Sequence, residues 1–346
     1  MNLRLHIIPL TDAELDANRN PTRPYAITPQ EFADLVMRVN WSFDGTGIRL
    51  VFNPDTDWQP MADTQLNTDA AGSRERGNQI AASIPGKIVC FLRWGSKATP
   101  TGNGNSYPPP GAGPKPPSVD DIVQNYVALP NRIAPNFGLL NQGNGSFVAH
   151  EVGHYLGLYH TFPGWDGHDP IFRRYKNPDG TNAPPPSSDA ADQAVIDYIV
   201  ANGGTINALD GDLLSDTPPD PSPVLYAAHG QNICVTRTIR VNGTMNGRSV
   251  SFTFTPDPNN VMGYFTACGP GSVPPPARFS AQQSERMVQT LLQHPARRHL
   301  VRSFSLRQFL QLKGINPATG LRSHFSARDL AGGLRLLIAR ETGPFP

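Results

Sequence analysis

Three histidines and one glutamate between Ser146 and Phe162 have the spacing of a metal site. His150 and His154 are four residues apart, so on a helix they lie on one face, near enough to hold a single cation. Glu151 lies next to that face, where a carboxylate can take a proton from a metal-activated water without ligating the metal. The spacing therefore predicts a zinc site with its own general base.

Gly157 and His160 extend this pattern. Glycine can adopt a positive φ and end the helix, which allows the chain to turn back so that His160 supplies a third imidazole. Three protein ligands leave one position for water, which distinguishes a catalytic zinc from a structural one. A helix with two structural histidines is the alternative, and the added glycine and third histidine make it much less favoured.

The composition sets broad limits on the protein class. The chain has 346 residues, 38% of them hydrophobic, with 29 basic and 28 acidic side chains. This is enough for one large or two small domains, and the charge balance does not indicate a nucleic-acid partner. The 36 prolines and 32 glycines favour an enzyme built from short elements and long connections. No apolar run is long enough to cross a bilayer.

Residues 1–10 alternate as a strand and lack the small-residue cleavage site of a signal peptide. We therefore expect either a processed form or export by a route that needs no such signal. Cys90 lies in an apolar strand and is expected to be a buried core residue. Cys234 and Cys268 flank a predicted hairpin and could form a disulfide.

The first half of the sequence predicts strands that alternate with a helix, and hence a mixed sheet with helices packed against it. The predicted strands are 3–10, 48–52, 87–93 and 126–129, and the predicted helix is 28–39. Residues 97–118 are rich in Pro, Gly, Asn and Ser, which favours a disordered surface loop. Pro130 favours a sheet edge for the last strand, where an extended peptide could pair.

The second half predicts a helix at 187–201, a hairpin formed by 235–241 and 248–255, and a helix that begins at Ser280. Four aspartates lie between Asp210 and Asp220, a density that can surround a hard cation such as calcium. A solvated acidic turn is the alternative.

Met262 lies in a short turn after the hairpin. A methionine in such a turn is usually core filler, but behind the histidine pattern described above it is the expected floor of a zinc site. From Arg297 to the end, basic residues outnumber acidic ones nine to two, and two amphipathic helical patterns follow. This tail either packs on the catalytic body or docks on a partner.

The run His-Glu-Val-Gly-His-Tyr-Leu-Gly-Leu-Tyr-His carries the HExxHxxGxxH signature of the metzincin metallopeptidases. Within that group the sequence resembles the pappalysins, through landmarks that follow the same order over roughly residues 1–300. The landmarks are residues 150–162, Ser215–Pro218, Asn260–Tyr264, Cys268 and residues 279–287.

The resemblance implies an α+β fold whose catalytic domain has two subdomains, with peptide lying in the cleft between them. Residues 1–162 would form the upper subdomain, a twisted mixed sheet with the zinc-binding helix. Residues 163–300 would form an irregular lower subdomain, and residues 301–346 a short helical extension.

The resemblance also implies roles for further residues. Tyr264 would stand near the zinc and stabilise the oxyanion. Calcium would be bound by Asp212, Asp216 and Thr217, while Cys234 and Cys268 would form a family disulfide.

We therefore expect a zinc-dependent endopeptidase that acts on protein substrates outside the producing cell. One alternative is a delivered effector or toxin protease without a signal peptide, in which the basic tail recognises the target. A non-catalytic binding protein on the same fold is the other alternative, and the intact Glu151 argues against it.

Overall fold

A computed structural model describes residues 1–95, 104–115, 121–130, 146–164, 171, 186–231, 238–263 and 277–301. The strands are β1 (Asn2–Thr11), β2 (Arg49–Val51), β3 (Met61–Ala62), β4 (Ile88–Arg93), β5 (Val127–Pro130), β6 (Ile239–Met245) and β7 (Arg248–Phe254). The α-helices are α1 (Pro29–Ser42), α2 (Thr64–Asn67), α3 (Ser73–Ala82), α4 (Ser146–Tyr155), α5 (Ser188–Ala201), α6 (Pro223–Ala228) and α7 (Ala281–Gln293). Single 3₁₀ turns occur at Ile206–Leu209 and Arg298–Val301.

The larger sheet has the strand order β2-β1-β4-β5, and β3 pairs with the end of β1. β4 is buried along its whole length, and β1 is buried over most of it. Such continuous apolar runs are typical of parallel strands that are covered on both faces. All the pairs between these strands are parallel. The expectation of a mixed sheet therefore needs correction for the named strands.

Antiparallel pairing enters at the outer side of β5. The backbone N–H of Asn105 donates to the Ala128 carbonyl, and the Ala128 N–H donates back to the Asn105 carbonyl, both at 2.9 Å. β5 is the outer strand in the order of the sheet, as predicted, but its backbone groups at Ala128 are paired with Asn105. The prediction that an extended peptide could pair with this strand is therefore wrong at Ala128. The prediction of a disordered loop is also wrong for residues 104–109, in which Gly104, Ser106 and two prolines are buried.

Helix α1 begins where the sequence predicts, because Thr28 and Glu31 form a reciprocal capping box and Pro29 takes the first helical position. Its apolar face is buried and consists of Phe32, Leu35, Val36 and Val39. α4 lies in contact with α1 and with β5. The helix that carries His150 and His154 is thus held against the sheet.

A second apolar cluster joins α5 and α6 to the β6–β7 hairpin. Asn246 and Gly247 both have positive φ at the turn, as a tight two-residue hairpin requires. The predicted hairpin is confirmed, although Asn242–Gly243 lies within β6 and forms no turn. This cluster uses residues from 171 onward, and the apolar cluster against the sheet uses residues up to Ala128.

Residues 2–300 form one compact unit. The boundary predicted at 162/163 falls between its two apolar clusters and stays a prediction. Among the described residues, no helix has the length and apolar character to cross a membrane. The predicted helical tail at 301–346 lies, beyond Val301, outside the described residues.

Candidate metal centre

Helix α4 carries His150 and His154 one turn apart, as their spacing predicts, and both side chains are buried. Gly157 follows the helix with a φ of 98°, a conformation that favours glycine. A Cβ at this position would also lie 2.5 Å from Thr290 Oγ1. The chain turns back at this glycine and brings the buried His160 to the other two imidazoles.

The three imidazoles point the same ring nitrogen at one another. The distances between their Nε2 atoms are 3.0 Å from His154 to His150, 3.1 Å from His154 to His160 and 3.2 Å from His150 to His160. Tetrahedral zinc with bonds of about 2.0–2.1 Å separates its ligand nitrogens by about 3.3 Å. The three residues therefore fit a zinc ion.

Each imidazole uses its Nδ1 atom to contact a backbone carbonyl. His150 lies 2.8 Å from the Val261 oxygen, His154 lies 2.8 Å from the Leu158 oxygen, and His160 lies 3.3 Å from Gly164 O. A carbonyl only accepts, so the hydrogen-bonding pattern assigns the proton to Nδ1 and a lone pair to Nε2. Three lone pairs that converge in a buried place repel one another unless a cation lies between them.

Electrostatics favour the neutral form of two of these rings. Burial lowers the pKa of His154 and of His160 well below the ordinary histidine value, and the neighbouring His150 lowers both further. A metal ligand must be deprotonated to bind. Burial therefore favours the metal-binding form of His154 and His160.

Glu151 is buried on α4 beside His150, and the segment that covers β5 packs against it. A Cβ added at Gly104 would lie 3.0 Å from Glu151 Cγ and 2.9 Å from the Ala128 carbonyl oxygen. The absence of a side chain at Gly104 thus allows this segment to pass close to the predicted base. No sequence signal singled out Gly104.

Met262 is fully buried directly beneath α4. A Cβ added at Gly153 would lie 2.7 Å from Met262 Sδ, so the glycine inside the histidine motif leaves room for the thioether. The preceding Val261 carbonyl is the partner of His150, and the Met262 carbonyl accepts from Thr161 N–H at 3.4 Å. The predicted methionine turn thus contacts both the side chain of His150 and the backbone of Thr161, which follows His160.

The acidic loop, which we define as residues 210–220, is held in place by hydrogen bonds that several of its carboxylates accept. Asp212 accepts from Thr217 Oγ1 at 2.7 Å and from Gln283 Nε2 at 2.9 Å. Burial raises the pKa of Asp212 to about 7, and the nearby Asp210 raises it as well.

Asp216, by contrast, faces the start of α7. One of its oxygens accepts from Ser280 Oγ and the other from the Gln282 backbone N–H, both at 2.8 Å. Asp220 accepts from Ser222 N–H at 3.2 Å, and burial raises its pKa to about 6. The predicted calcium ligands are therefore only partly together, with Thr217 next to Asp212 and Asp216 turned to the helix.

Within the described residues, the histidine cluster is the group of His, Cys, Asp or Glu side chains with the geometry to hold a metal through three such ligands. Calcium also binds backbone oxygens, so calcium at the acidic loop stays a prediction. Tyr264, Cys234 and Cys268 lie outside the described residues. Cys90 is fully buried as predicted, and burial raises its pKa far above the usual value.

Two further residues of the site were not predicted from sequence. The sequence places Gln283 in the first turn of the helix that begins at Ser280, but it does not indicate that the amide of this residue contacts Asp212 and Asn260. Gly211 was seen as part of an acidic turn, although it packs on the backbone around His160. Both contacts join segments far apart in the chain, and a local pattern does not contain them.

Comparison with known proteins adds nothing to the assignment of a metal site, which rests on the residues described above. No protein-family model matches the sequence. No curated protein is significantly similar to it. The resemblance to the pappalysins therefore rests on the motifs alone and stays a hypothesis.

Proposed function

We propose that this protein is a zinc-dependent endopeptidase. The observation that supports the proposal most is the convergence of the Nε2 atoms of His150, His154 and His160 at 3.0–3.2 Å, with each Nδ1 directed to a carbonyl oxygen. Glu151, buried beside them, adds the general base that a hydrolytic site needs. A structural zinc site would have a fourth protein ligand, which this cluster lacks among the described residues.

When bound, zinc supplies the Lewis acidity that lowers the pKa of water and polarises a carbonyl group. In the proposed reaction, the Glu151 carboxylate accepts the proton of the attacking water and passes it to the departing amine. Because Glu151 is buried beside the histidines, its carboxylate is shielded from bulk water. This strengthens the hydrogen bond that it would form with the attacking water. Tyr264 is proposed to donate a hydrogen bond to the developing oxyanion.

Extended peptides are the proposed substrate class. Asn105 uses both its N–H and its C=O to pair with Ala128 of β5, and Gly104 and Ser106 on either side of it are buried. Because Gly104 lies against Glu151, residues 104–106 form one wall beside the proposed base. A peptide that reaches the base would have to lie along this wall.

The proposal is tested by separating metal binding from chemistry in the full-length protein. We expect one zinc ion per chain and loss of peptide hydrolysis on chelation. Glu151→Gln should retain zinc and lower turnover by on the order of 10² to 10⁴, because the amide cannot accept a proton. His160→Ala should lose zinc as well as activity, since it removes a ligand.

Denatured protein is the appropriate substrate, because it offers many extended segments irrespective of the natural target. A wild-type protein without bound transition metal would refute the proposal. Zinc binding without cleavage of any denatured substrate would instead favour a binding protein. Tyr264→Phe is the matched control, expected to lower turnover while metal content stays at one per chain.

A further inference from the structure

The side chain of Gln283 is fully buried and uses its whole hydrogen-bonding capacity. Its Nε2 atom donates to Asp212 Oδ2 at 2.9 Å and to Asn260 Oδ1 at 3.1 Å. Its Oε1 atom accepts from Asn260 Nδ2 at 3.1 Å and from the Ser280 backbone N–H at 3.0 Å. The reverse orientation of the amide would place Oε1 against the Asp212 carboxylate, so the contacts fix which end is which.

Asn260 connects this amide to a metal-site histidine. Its Oδ1 atom also accepts from the Met262 backbone N–H at 2.8 Å. Between these two residues lies Val261, whose carbonyl oxygen is 2.8 Å from His150 Nδ1. The direction of that carbonyl, and hence the plane of the imidazole, depends on the turn that the Asn260 side chain holds.

The other end of the Gln283 amide reaches the acidic loop. Asp212 Oδ1 accepts a hydrogen bond from Thr217 Oγ1 at 2.7 Å, and Asp212 Oδ2 accepts the hydrogen bond from Gln283. Arg286, one turn further along α7, donates to the Asp212 backbone carbonyl at 2.5 Å. Asp212 is therefore fixed through both its backbone and its side chain, and a change in its position alters its hydrogen bond to Gln283.

We propose that Gln283 is a positioning residue that sets the orientation of His150 through Asn260 and thereby couples the acidic loop to the metal centre. The inference rests on the proposed zinc function. It goes beyond that function because it assigns control of a zinc ligand to a residue that touches neither the metal nor the substrate. Partners that orient a ligating histidine typically change metal affinity 10- to 100-fold when they are removed.

Gln283 also belongs to the capping box of α7, so a loss of helix stability has to be separated from a loss of positioning. Ser280→Ala is the matched control. It removes the hydroxyl that accepts from Gln283 N–H at 3.1 Å and donates to Asp216 at 2.8 Å, but it leaves the Gln283 side-chain amide and the Ser280 N–H in place. Any effect of the helix cap alone appears in both variants, whereas the effect on His150 appears only when the amide is changed.

The experiment measures the rate at which zinc leaves the full-length, zinc-loaded protein when a chromogenic chelator is in excess. Gln283→Leu should accelerate zinc release by about 10- to 100-fold, because it removes the amide at similar volume. Ser280→Ala should lower the melting temperature but leave the release rate within about twofold of wild type. Gln283→Glu keeps the acceptor oxygen but cannot donate to Asp212 and Asn260, so it should also accelerate release. It serves as the second variant if Gln283→Leu fails to fold.

Two further comparisons test the route of the coupling. In an Asn260→Ala background, Gln283→Leu should add little, because its partner is already missing. Asp212→Ala should accelerate release, since it removes the oxygen that accepts from Gln283 Nε2. Glu285→Gln, which changes an exposed carboxylate on the same helix α7, should not.

The outcomes are distinct. Zinc release that is unchanged in Gln283→Leu and Gln283→Glu overturns the coupling, and so does an equal acceleration in Ser280→Ala. Effects of Gln283→Leu and Asn260→Ala that simply multiply also overturn it. A wild-type chain that binds no zinc refutes the proposed function instead, and this is seen before any variant is compared.

Discussion

Gly211 of the acidic loop donates its backbone N–H to the carbonyl oxygen of Thr161 at 3.2 Å, immediately after the third histidine of the metal centre. The contact is close over several atoms. A Cβ at Gly211 would overlap the carbonyl carbon and oxygen of Phe162 and lie 2.7 Å from the His160 carbonyl oxygen. Since all these atoms belong to the backbone, none can rotate away.

We therefore expect Gly211→Ala to displace either the acidic loop or the segment that carries His160. Overpacking of this kind costs on the order of 2–3 kcal/mol of folding free energy. The expected result is a lower melting temperature together with a lower zinc content after purification. Thermal denaturation and metal analysis on the same sample measure both.

Gly153→Ala is the matched control for this prediction. A Cβ at Gly153 would lie 2.7 Å from Met262 Sδ, which is the flexible part of an adaptable side chain. Its effect on stability and zinc content should therefore be smaller than that of Gly211→Ala. Equal or larger losses in Gly153→Ala would show that the tight backbone contact is not what makes Gly211 necessary.

The histidine cluster was predictable because its determinants are local in sequence. His150 and His154 share a helical face, and Gly157 provides the turn that returns the chain to His160. The elements around it, such as α1 with its capping box, also follow from short-range patterns. In each case the interacting groups lie within about ten residues, which is the range over which such patterns are informative.

The contacts that support the centre were not predictable, because they depend on tertiary packing. Gln283 and Asp212 are 71 residues apart in the chain, and nothing in either local sequence names the other. Asn105 lies in a segment whose Pro- and Gly-rich composition indicates disorder, yet its backbone pairs with Ala128. Composition reports the average tendency of a segment, whereas one pair of backbone hydrogen bonds at a buried strand is enough to order it.

The buried carboxyl of Asp220 predicts a specific dependence of stability on pH. Burial raises its pKa from 3.8 to about 6, so the folded state binds a proton that the unfolded state has released. The resulting stabilisation is complete below pH 3.8 and is lost as the pH rises through about 6. Asp220→Asn lacks this titration, so its stability relative to wild type should increase by on the order of 3 kcal/mol between pH 4 and pH 7.

Denaturant unfolding of both proteins across this pH range, in a calcium-selective chelator, measures the difference. Other buried groups that titrate there, such as Asp212, are common to the two proteins and largely cancel. A constant difference between Asp220→Asn and wild type across this range would mean that Asp220 is not held in its protonated form by the fold.

Gly104→Ala tests the contact between residues 104–106, which lie beside β5, and the proposed base Glu151. The added methyl would lie 2.6 Å from Phe147 Cε1 and 3.0 Å from Glu151 Cγ, and the Ala128 carbonyl at 2.9 Å blocks movement towards β5. The displacement should therefore fall on α4 side chains, and turnover should drop by about tenfold or more while zinc content is kept.

Ser106→Ala, in the same segment, is the control for Gly104→Ala. Its hydroxyl is buried and has no hydrogen-bond partner among the described residues, so its removal should leave turnover nearly unchanged. Normal turnover in Gly104→Ala would show that Glu151 is not sensitive to this segment. Loss of zinc together with turnover would indicate a wider disturbance of α4.

Calcium binding at the acidic loop is the last prediction. Asp210 is close enough to Asp212 to raise the pKa of Asp212, and crowded carboxylates repel unless a cation or a proton lies between them. Asp216 has both oxygens engaged at the start of α7, so a cation that recruits this residue would also bind next to the helix.

Since a cation that binds only the folded form stabilises it by mass action, the melting temperature should rise with free calcium. The stabilisation should reach about 2.7 kcal/mol at a hundred times the dissociation constant. Magnesium should substitute poorly, because it requires a tighter octahedral arrangement. Asp212→Asn should weaken the response, and Asp189→Asn on α5 should not. If the melting curve of protein stripped with a calcium-selective chelator does not shift on addition of calcium, the loop is an acidic turn held by hydrogen bonds alone.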